Sequence, residues 1–556
     1  MTQNSNINDP LETSWWFGID QHQKQYVVIT QGDLTGIEFT TDLIDKRQST
    51  FHHLAMGGIT LMPPQRREII GPIMEGNVEA RPFILAESPG WIDDTTFILG
   101  DGTIICPAAQ TDRPVLPGFA LQPKFGVRGT LESWREAFVP LLDAQHLLTS
   151  LVCLGFTAPL LQPFGTLIGL EENPGLELVG PSSVGKTTAM RVISSIWGGL
   201  PGRSGAFAET WQMTDVAIGT LMRMHSDSVL ILDEAAHAGV RVSDRNATQS
   251  RAVMSLAAGA GRHRHQQPAS GRDWLTIFST SNSPLASPGG RFDRLNLAIN
   301  VRLVSVDLSD RPHGILDTDH DQPAGDLIQQ FNAAAAENFG TAGRTFIQRL
   351  VEERARDPKA IQSDIIAYVE TFKRAVKFTE LRAAEQRIGL FFALGYAAAC
   401  LARSWGILPS HWLLVGPGLL STFRLALKSL PLNECVRPVD QFESQVAQLR
   451  DRFIEVGGIW ANLEDPIGAI RRTRDHGLEL QIPPKAFDQH FGGIPGLKDE
   501  LRRVGALVTD GGKGLHLTAK RISLDGKATS RFVCVKLDLE AYPDRLQVLA
   551  TAELAA

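Results

Sequence analysis

The chain has 556 residues, of which 43% are hydrophobic and 21% charged, and its formal net charge is −7. This balance is typical of a globular protein of about three domains, and it excludes a histone-like protein coated in positive charge. The five cysteines form no CxxC pair, which disfavours a zinc site or a disulfide framework and favours a reducing compartment. The N-terminus has no signal-peptide pattern, so we expect a cytoplasmic protein.

The first 130 residues contain short β-type runs such as QYVVIT and TTFILG, separated by Gly, Pro and Asp turns. This pattern predicts a β-rich N-terminal domain. The pattern then becomes helical and apolar, and residues 147–170 carry no charge over a length that spans a bilayer. Prolines and glycines interrupt that stretch and a phosphate-binding motif follows it. We therefore expect a buried helix and strand, and no membrane contact.

A strand from Leu176 to Val179 leads into a glycine-rich loop and then a helix. This is the context that supports a P-loop over a chance glycine-rich turn. Lys186 would reach the β- and γ-phosphates of ATP, and the Thr187 hydroxyl would hold Mg²⁺. The predicted nucleotide-binding residues are Gly180, Pro181, Ser182, Ser183, Val184, Gly185, Lys186, Thr187 and Thr188.

A second buried strand, Val229 to Leu232, ends in two acidic residues. Such an ending is usually only a strand meeting solvent. After a P-loop in the same α/β region, it predicts a Walker B motif. Asp233 would then bind Mg²⁺ and Glu234 would activate the attacking water, which indicates ATP hydrolysis and not binding alone.

The segment GAGRHRHQQPASGRD, Gly259 to Asp273, is basic and flanked by glycines. An extended conformation would place its first two arginines on one face and its two histidines on the other. The segment is either a solvated surface loop or a DNA-binding hairpin; a metal site is disfavoured because no third ligand is near. The predicted DNA-contacting residues are Arg262, His263, Arg264, His265 and Arg272.

The next strand, WLTIFSTSN, ends in Asn282. At the tip of a strand between the two Walker strands, this side chain would touch the γ-phosphate and the attacking water, the sensor-1 role. The alternative is that Asn282 caps the turn before Pro284. From residue 326 the chain is almost continuously helical up to Trp405, and further helices follow.

The tail from about residue 441 resembles a winged helix. GLKDELRRVGALV predicts a helix entering a strand, and the glycine-separated strands that follow predict a wing. A wing binds either DNA or protein. The residues that would touch DNA are Lys513, Lys520, Arg521 and Arg531.

Together these motifs resemble the helicase-like AAA+ ATPases of mobile genetic elements grouped as domain of unknown function 927. These look like superfamily-three and minichromosome-maintenance helicases through the hairpin before sensor 1. The resemblance covers roughly residues 15 to 540. Besides the P-loop and the glycine-arginine hairpin, it rests on GWIDDTTFILGDGTI, TWQMTD, LILDEAAH, FGTAGRTFIQRLVE and EQRIGLFFALGYAAACLARSWGI.

The resemblance implies an α/β fold with four parts. These are a β-rich N-terminal domain (1–130), an AAA+ P-loop ATPase core with a pre-sensor-1 hairpin (131–325), a helical lid with connecting helices (326–440) and a winged-helix-like C-terminal domain (441–556). TWQMTD would open the helix before the Walker B strand. In a ring, expected to be a hexamer, the hairpins would point into the pore and form a basic ring despite the acidic net charge.

The resemblance also implies an arginine that acts on the nucleotide of a neighbouring subunit. Arg302 matches a family arginine after sensor 1, although its spacing to Asp307 is longer than the family pattern; Arg291 and Arg294 compete for the same role. Arg387 is the sensor-2 candidate, and its alternative is a helix-surface arginine. Serine-threonine-serine-asparagine stands where the family often has serine-glycine-glutamate, which favours Asn282 as sensor 1.

We therefore expect an ATP- and Mg²⁺-dependent DNA helicase or translocase of a mobile genetic element, acting on single-stranded or forked DNA. The alternative is a DNA-binding AAA+ initiator or remodeller that loads another machine and unwinds little. A metabolic P-loop kinase is disfavoured by the hairpin, the long lid and Glu234. No primase or polymerase motif is present, so such an activity would come from a partner of the same element.

Overall fold

In the computed structural model the chain has a mixed α/β fold, divided into two compact units: Met1–Ala286 with Ala298–Leu430, and Ser287–Leu297 with Pro431–Ala556. The structure describes residues 13–107, 113–143, 145–203, 205–211, 214–233, 251–259, 272–282, 298–317, 322–410, 412, 415–430, 438–449, 452–455, 466–472, 478–494, 496–503, 505–508, 519–522 and 529–537.

The first unit begins with a sheet in the order β3-β2-β1-β4, whose first three strands are antiparallel neighbours. Helices pack on it around buried apolar residues such as Leu54 and Ile69. Sequence reasoning predicted strands here and missed these helices. One of them, α3, begins with two prolines, which are tolerated in a first turn because its N–H groups have no helical acceptor. The elements are β1 (Thr13–Ile19), β2 (Gln25–Gln31), β3 (Leu34–Phe39), α1 (Thr40–Asp45), α2 (Arg47–Met56), α3 (Pro63–Met74) and β4 (Arg81–Pro82).

Short strands and three helices then lead to the central sheet. The helix α4 begins at Thr130, whose hydroxyl accepts from the Ser133 N–H at 3.1 Å. Among the described residues no single helix is long and apolar enough to span a membrane; α5 and α6 meet that criterion only as a pair, which is bent by 83°. The elements are β5 (Ile84–Ala86), β6 (Gly90–Trp91), β7 (Phe97–Ile98), β8 (Ile104–Ile105), β9 (Val115–Pro117), α4 (Leu131–Leu142), α5 (His146–Gly155) and α6 (Ala158–Ile168).

The central sheet has the order β11-β12-β13-β10-β14, and every described pair in it is parallel. The predicted parallel α/β sheet is therefore confirmed. Its strands are apolar over most of their length because both faces of a parallel sheet are covered. The elements are β10 (Gly175–Val179), α7 (Lys186–Trp197), β11 (Glu209–Thr210), α8 (Asp215–Met224), β12 (Ser228–Asp233), β13 (Leu275–Ser281) and β14 (Leu303–Asp307).

Five further helices complete the first unit, as the helical pattern after residue 326 predicted. Their apolar faces join those of α4–α7 in one hydrophobic core that includes Leu178, Phe346 and Phe392. The lid helices therefore share their core with the sheet that carries the P-loop. The elements are α9 (Ala324–Glu337), α10 (Thr341–Arg356), α11 (Pro358–Ala375), α12 (Ala383–Ser404) and α13 (Val415–Lys428).

The second unit has its own apolar core, which includes Phe442, Leu480 and Val535. The predicted helix entering a strand is present as α16 followed by β18, and β19 pairs with β20 antiparallel. The elements are α14 (Pro438–Gln448), β15 (Phe453–Glu455), β16 (Gly468–Arg472), β17 (Leu478–Ile482), α15 (Pro484–Phe491), α16 (Leu497–Arg503), β18 (Leu507–Val508), β19 (Ala519–Ile522) and β20 (Thr529–Leu537).

Candidate nucleotide site

Three strands bring the predicted nucleotide-binding residues to one edge of the central sheet. The P-loop follows β10, Asp233 ends β12, and Asn282 follows β13, which lies between the other two strands. The carboxyl ends of parallel strands meet at the same edge, so these groups come together. The Gly180 N–H also donates to the Ser281 carbonyl at 3.2 Å, which ties the start of the P-loop to the end of β13.

The P-loop backbone needs its two glycines. Gly180 has φ +155° and Gly185 has φ +90°, both in the left-handed region that favours glycine. A Cβ on Gly185 would also lie 2.8 Å from the Ile315 side chain, so the loop is packed against the residues after β14. The helix α7 begins directly afterwards at Lys186. A helix N-terminus behind a tight glycine turn is a favourable site for phosphate.

Lys186 lies at the centre of this edge. Its ammonium group donates to the carbonyls of Gly180 and Pro181 at 2.6 and 2.8 Å, and to Oδ1 of Asn282 at 3.1 Å. Partial burial lowers the pKa of Lys186, and the negative charge of Asp233 opposes that effect. The structure thus brings together Lys186, Asn282 and Asp233, which are more than 40 residues apart in sequence.

The donor set suits a magnesium nucleotide. Asp233 ends its strand half-buried and accepts a hydrogen bond from the Thr280 hydroxyl, and the Thr187 side chain is exposed beside it in sequence order after Lys186. Mg²⁺ typically takes one or two carboxylates and the substrate's phosphates, not a cage of protein ligands. Consistently, no cluster of three His, Cys, Asp or Glu that could hold a metal occurs within the described ranges. Glu234, the predicted activator of water, lies outside the described residues.

Two of the predicted arginines lie at the other edge of the sheet. Arg302 precedes β14 and donates to Glu172 at 2.7 Å, and Arg387 contacts the same carboxylate at 3.4 Å. Glu172 precedes β10, and Gly175 pairs with Leu303, so the amino ends of β10 and β14 coincide. Five residues of strand, roughly 15 Å, separate this edge from the P-loop. The structure therefore does not bring Arg302 or Arg387 to the nucleotide site of their own chain.

Arg272 belongs to the same edge. Its guanidinium donates to the Ala257 carbonyl at 3.0 Å and lies 4.2 Å from the Trp274 ring centroid, and burial lowers its pKa. Together with Glu172, Arg302 and Arg387 it lines a cavity of about 400 Å³. Arg272 is thus anchored within the protein. The other predicted hairpin residues, Arg262, His263, Arg264 and His265, lie outside the described residues, as do Arg291, Arg294 and Lys513.

In the second unit, β19 and β20 pair so that Lys520 lies opposite Arg531 and Arg521 opposite Ser530. Arg531 is exposed. Two basic residues directly opposite one another form a local positive site on this hairpin. The arrangement is compatible with either a nucleic acid or an acidic protein surface.

Sequence reasoning missed Glu172, Asn173 and Thr280. The first two lie in the stretch EENP just before β10, where two acidic residues in a turn normally indicate only a solvated surface. Their partners are about 80 to 220 residues away in sequence, so no local pattern reveals them. Thr280, two residues before Asn282, had a weaker local signal: a polar residue within an otherwise buried strand.

Residues 11–273, just under half of the chain, match the family model described as Domain of unknown function (DUF927). No curated protein matches the chain. Among solved structures, the chain is similar to the one described as "SCCmec type IV Cch - active helicase". The TM-score is 0.60 at 17% sequence identity, and the match covers 98% of this chain and 95% of that one. At this identity the similarity establishes the fold, which is shared along nearly the whole length of both chains.

Proposed function

We propose that this chain is an ATP-dependent DNA helicase or translocase of a mobile genetic element, built on an AAA+ core and active as a ring. The observation that carries the proposal is the meeting of the P-loop, Lys186, Asn282 and Asp233 at one edge of a parallel sheet. A fold shared with a protein described as an active helicase, together with the DUF927 match, supports it.

Each residue at this edge has a task in the proposed reaction. Lys186 binds the β- and γ-phosphates, and the backbone of the P-loop holds the remaining phosphate oxygens. Thr187 and Asp233 would hold Mg²⁺, which neutralises charge on the phosphates when bound. Glu234 accepts a proton from the attacking water, and Asn282 orients that water. Lys186 already lies 3.1 Å from Asn282, so the two polar groups are within reach of a common phosphate oxygen.

The other parts of the proposal depend on the basic segment 260–271 and on the arginines. In a hexameric ring, Arg302, Arg291 or Arg294 would act on the nucleotide of the adjacent subunit, and Arg387 would serve as sensor 2 from the lid. The location of Arg302 at the edge opposite the P-loop supports action on a neighbour over action in its own chain. The second unit would act as a winged helix, with Lys520 and Arg521 on the wing. A primase or polymerase of the same element is the expected partner.

The experiment that tests the function is strand displacement on a forked duplex, with ATP hydrolysis measured on the same preparation. Replacing Arg262 and Arg264 by Ala should leave basal ATP hydrolysis largely intact and abolish strand displacement. It should also weaken single-strand binding and flatten its salt dependence, because each lost phosphate contact removes a counterion-release contribution.

The matched control is the double substitution of His263 and His265 by Ala, which alternation places on the other face of an extended segment. This variant should displace strands nearly as well as the parent. If the parent hydrolyses ATP and binds DNA but displaces no strand, the initiator or remodeller function is favoured instead. If the double-arginine variant displaces strands like the parent, the segment is only a surface loop.

A further inference from the structure

A short turn connects the arginine edge of the sheet with the ends of the basic segment 260–271. It lies immediately before β10 and is referred to below as the 171–174 turn. Its position places it at the amino end of the strand whose carboxyl end carries the P-loop. The turn consists of Glu171, Glu172, Asn173 and Pro174.

Asn173 is fully buried, and both polar atoms of its side chain are hydrogen-bonded. Its Nδ2 donates to the carbonyls of Leu256 and Asp273, both at 2.9 Å, and its Oδ1 accepts from the Leu275 N–H at 3.1 Å. Its own backbone N–H donates to the Ala257 carbonyl at 2.9 Å. A buried polar group satisfied on every side holds its neighbours rigidly, because any displacement leaves a group without a partner.

These bonds join the two ends of the segment 260–271, which itself lies outside the described residues. On the incoming side, residues 251–258 are helical and Gly259 follows with φ +61°. On the outgoing side, the Asp273 N–H donates to the Gly259 carbonyl at 3.0 Å. A Cβ at Gly259 would lie 2.4 Å from the Asp273 carbonyl oxygen, so the two ends are in close contact. Asn173 therefore clamps the base of the segment.

The preceding residue, Glu172, holds the arginines. Its carboxylate accepts from Arg302 at 2.7 Å and lies 3.4 Å from Arg387, so it is shared by an arginine at the start of β14 and one on α12. The Arg302 side chain is 14% exposed and that of Arg387 51% exposed. Because Glu172 and Asn173 are adjacent, any movement of the arginine pair acts on a residue about 3.8 Å from the clamp.

We propose that the 171–174 turn couples ATP hydrolysis to DNA movement, with Asn173 as the positioning residue for the segment 260–271. The inference rests on the proposed helicase function and names a regulatory contact within it. When an arginine leaves Glu172 for the nucleotide of an adjacent subunit, the turn loses an ion-pair partner. Asn173 carries the resulting shift to both ends of the basic segment, while β13 links that base to Asn282 at the nucleotide.

The test compares the amount of strand displaced per ATP hydrolysed. Asn173→Asp keeps the acceptor for Leu275 but replaces the amide donor by an oxygen that faces two carbonyls. We expect ATP hydrolysis to stay within about twofold of the parent and displacement per ATP to fall about fivefold or more, as expected for at least one lost hydrogen bond. Hydrogen exchange at Leu275 should also become faster. Asn338→Asp, a change of the same type outside the clamp, is the control and should leave the ratio unchanged.

A merely structural role for Asn173 predicts a different result: ATP hydrolysis and displacement decline together and the ratio stays constant, which would overturn the inference. If Asn173→Asp does not fold, Glu172→Gln carries the test. Glu172 is partly exposed, and this variant removes the charge that holds the arginines; displacement per ATP should fall here too. A parent protein that hydrolyses ATP without displacing strands overturns the proposed function and the inference with it, whereas an unchanged ratio in an active parent overturns the inference alone.

Discussion

Lys186 and Glu234 serve the same reaction in different ways, and single substitutions should separate them. Lys186→Ala removes the cation that binds the phosphates, so both ATP affinity and turnover should fall, turnover by about 100-fold. Glu234→Gln keeps the shape but removes the proton acceptor, so ATP should still bind while hydrolysis falls by about 100-fold or more. Nucleotide binding and phosphate release, measured on each variant, distinguish the two effects.

The Glu234 result is the sharper of the two. Hydrolysis by Glu234→Gln at the parent rate would falsify its assignment as the residue that activates water. Thr345→Ala, a substitution on α10 in the same unit, is a suitable control because Thr345 bonds only within its own helix. It should leave binding and turnover unchanged.

At single residues, sequence reasoning succeeded where the chemistry lies in one contiguous stretch. The P-loop glycines, Lys186 and Thr187 are neighbours in sequence, and a strand and a helix flank them as expected. It could not find the shared role of Glu172, because one carboxylate joins arginines 130 and 215 residues away. It also could not place Arg272, whose charge suggested DNA contact whereas its guanidinium is stacked on Trp274.

At the scale of elements, β12 begins beside a buried acid with an unusual pKa. Asp227 is buried and accepts from the Trp91 N–H at 3.0 Å. Burial raises its pKa from the ordinary value of 3.8 to about 7, and the negative charge of Asp273 acts in the same direction. Trp91 lies on β6, so this carboxyl joins the N-terminal strands to the central sheet.

The raised pKa predicts how stability depends on pH. Between pH 4 and pH 7 the folded chain keeps the proton and the unfolded chain loses it, so the free energy of unfolding falls as pH rises through this window, by up to about 4 kcal/mol. Asp227→Asn should remove most of that dependence. Asparagine also tolerates the φ of +54° at this position. Thermal denaturation at pH 5 and pH 8 measures the effect, and parallel curves for parent and variant would show that Asp227 is ionised throughout.

Strands and long helices were predicted well because their apolar patterns are strong, as in β10, β12 and α12. The N-terminal helices were not. The sequence of α3, PPQRREIIGPIM, contains three prolines, and the short apolar runs around it favour strands. Contacts with β2 and β3 across the sheet decide the outcome, since Ile69 and Leu54 are buried against that layer. Local propensity is overridden there by tertiary packing.

At the scale of the whole molecule, the expected ring shares its active site between neighbours. Mixing Lys186→Ala protein with Arg302→Ala protein should restore part of the ATP hydrolysis that each lacks alone, because some interfaces then combine an intact P-loop with an intact arginine. Arg349→Ala is the control partner, since Arg349 is exposed and pairs only with Glu352 on its own helix. Mixtures of Lys186→Ala and Arg349→Ala should show only the activity of the latter.

Failure of this complementation, with normal assembly, would count against Arg302 as the residue that acts on a neighbour. The same mixing with Arg291→Ala and Arg294→Ala then identifies the alternative. Particle size measured with and without nucleotide reports assembly independently of activity.

The order of strands in the central sheet has a consequence for how the chain is made. The strand β10 pairs on one side with β13, about 100 residues later, and on the other with β14, about 128 residues later. During synthesis β10 therefore emerges long before either neighbour and stays apolar and unpaired, which is typical of slow-folding, aggregation-prone parallel sheets. The match to the family model ends at residue 273, two residues before β13 begins. A fragment cut at that point would contain the complete P-loop sequence and neither of the strands that hold it in place.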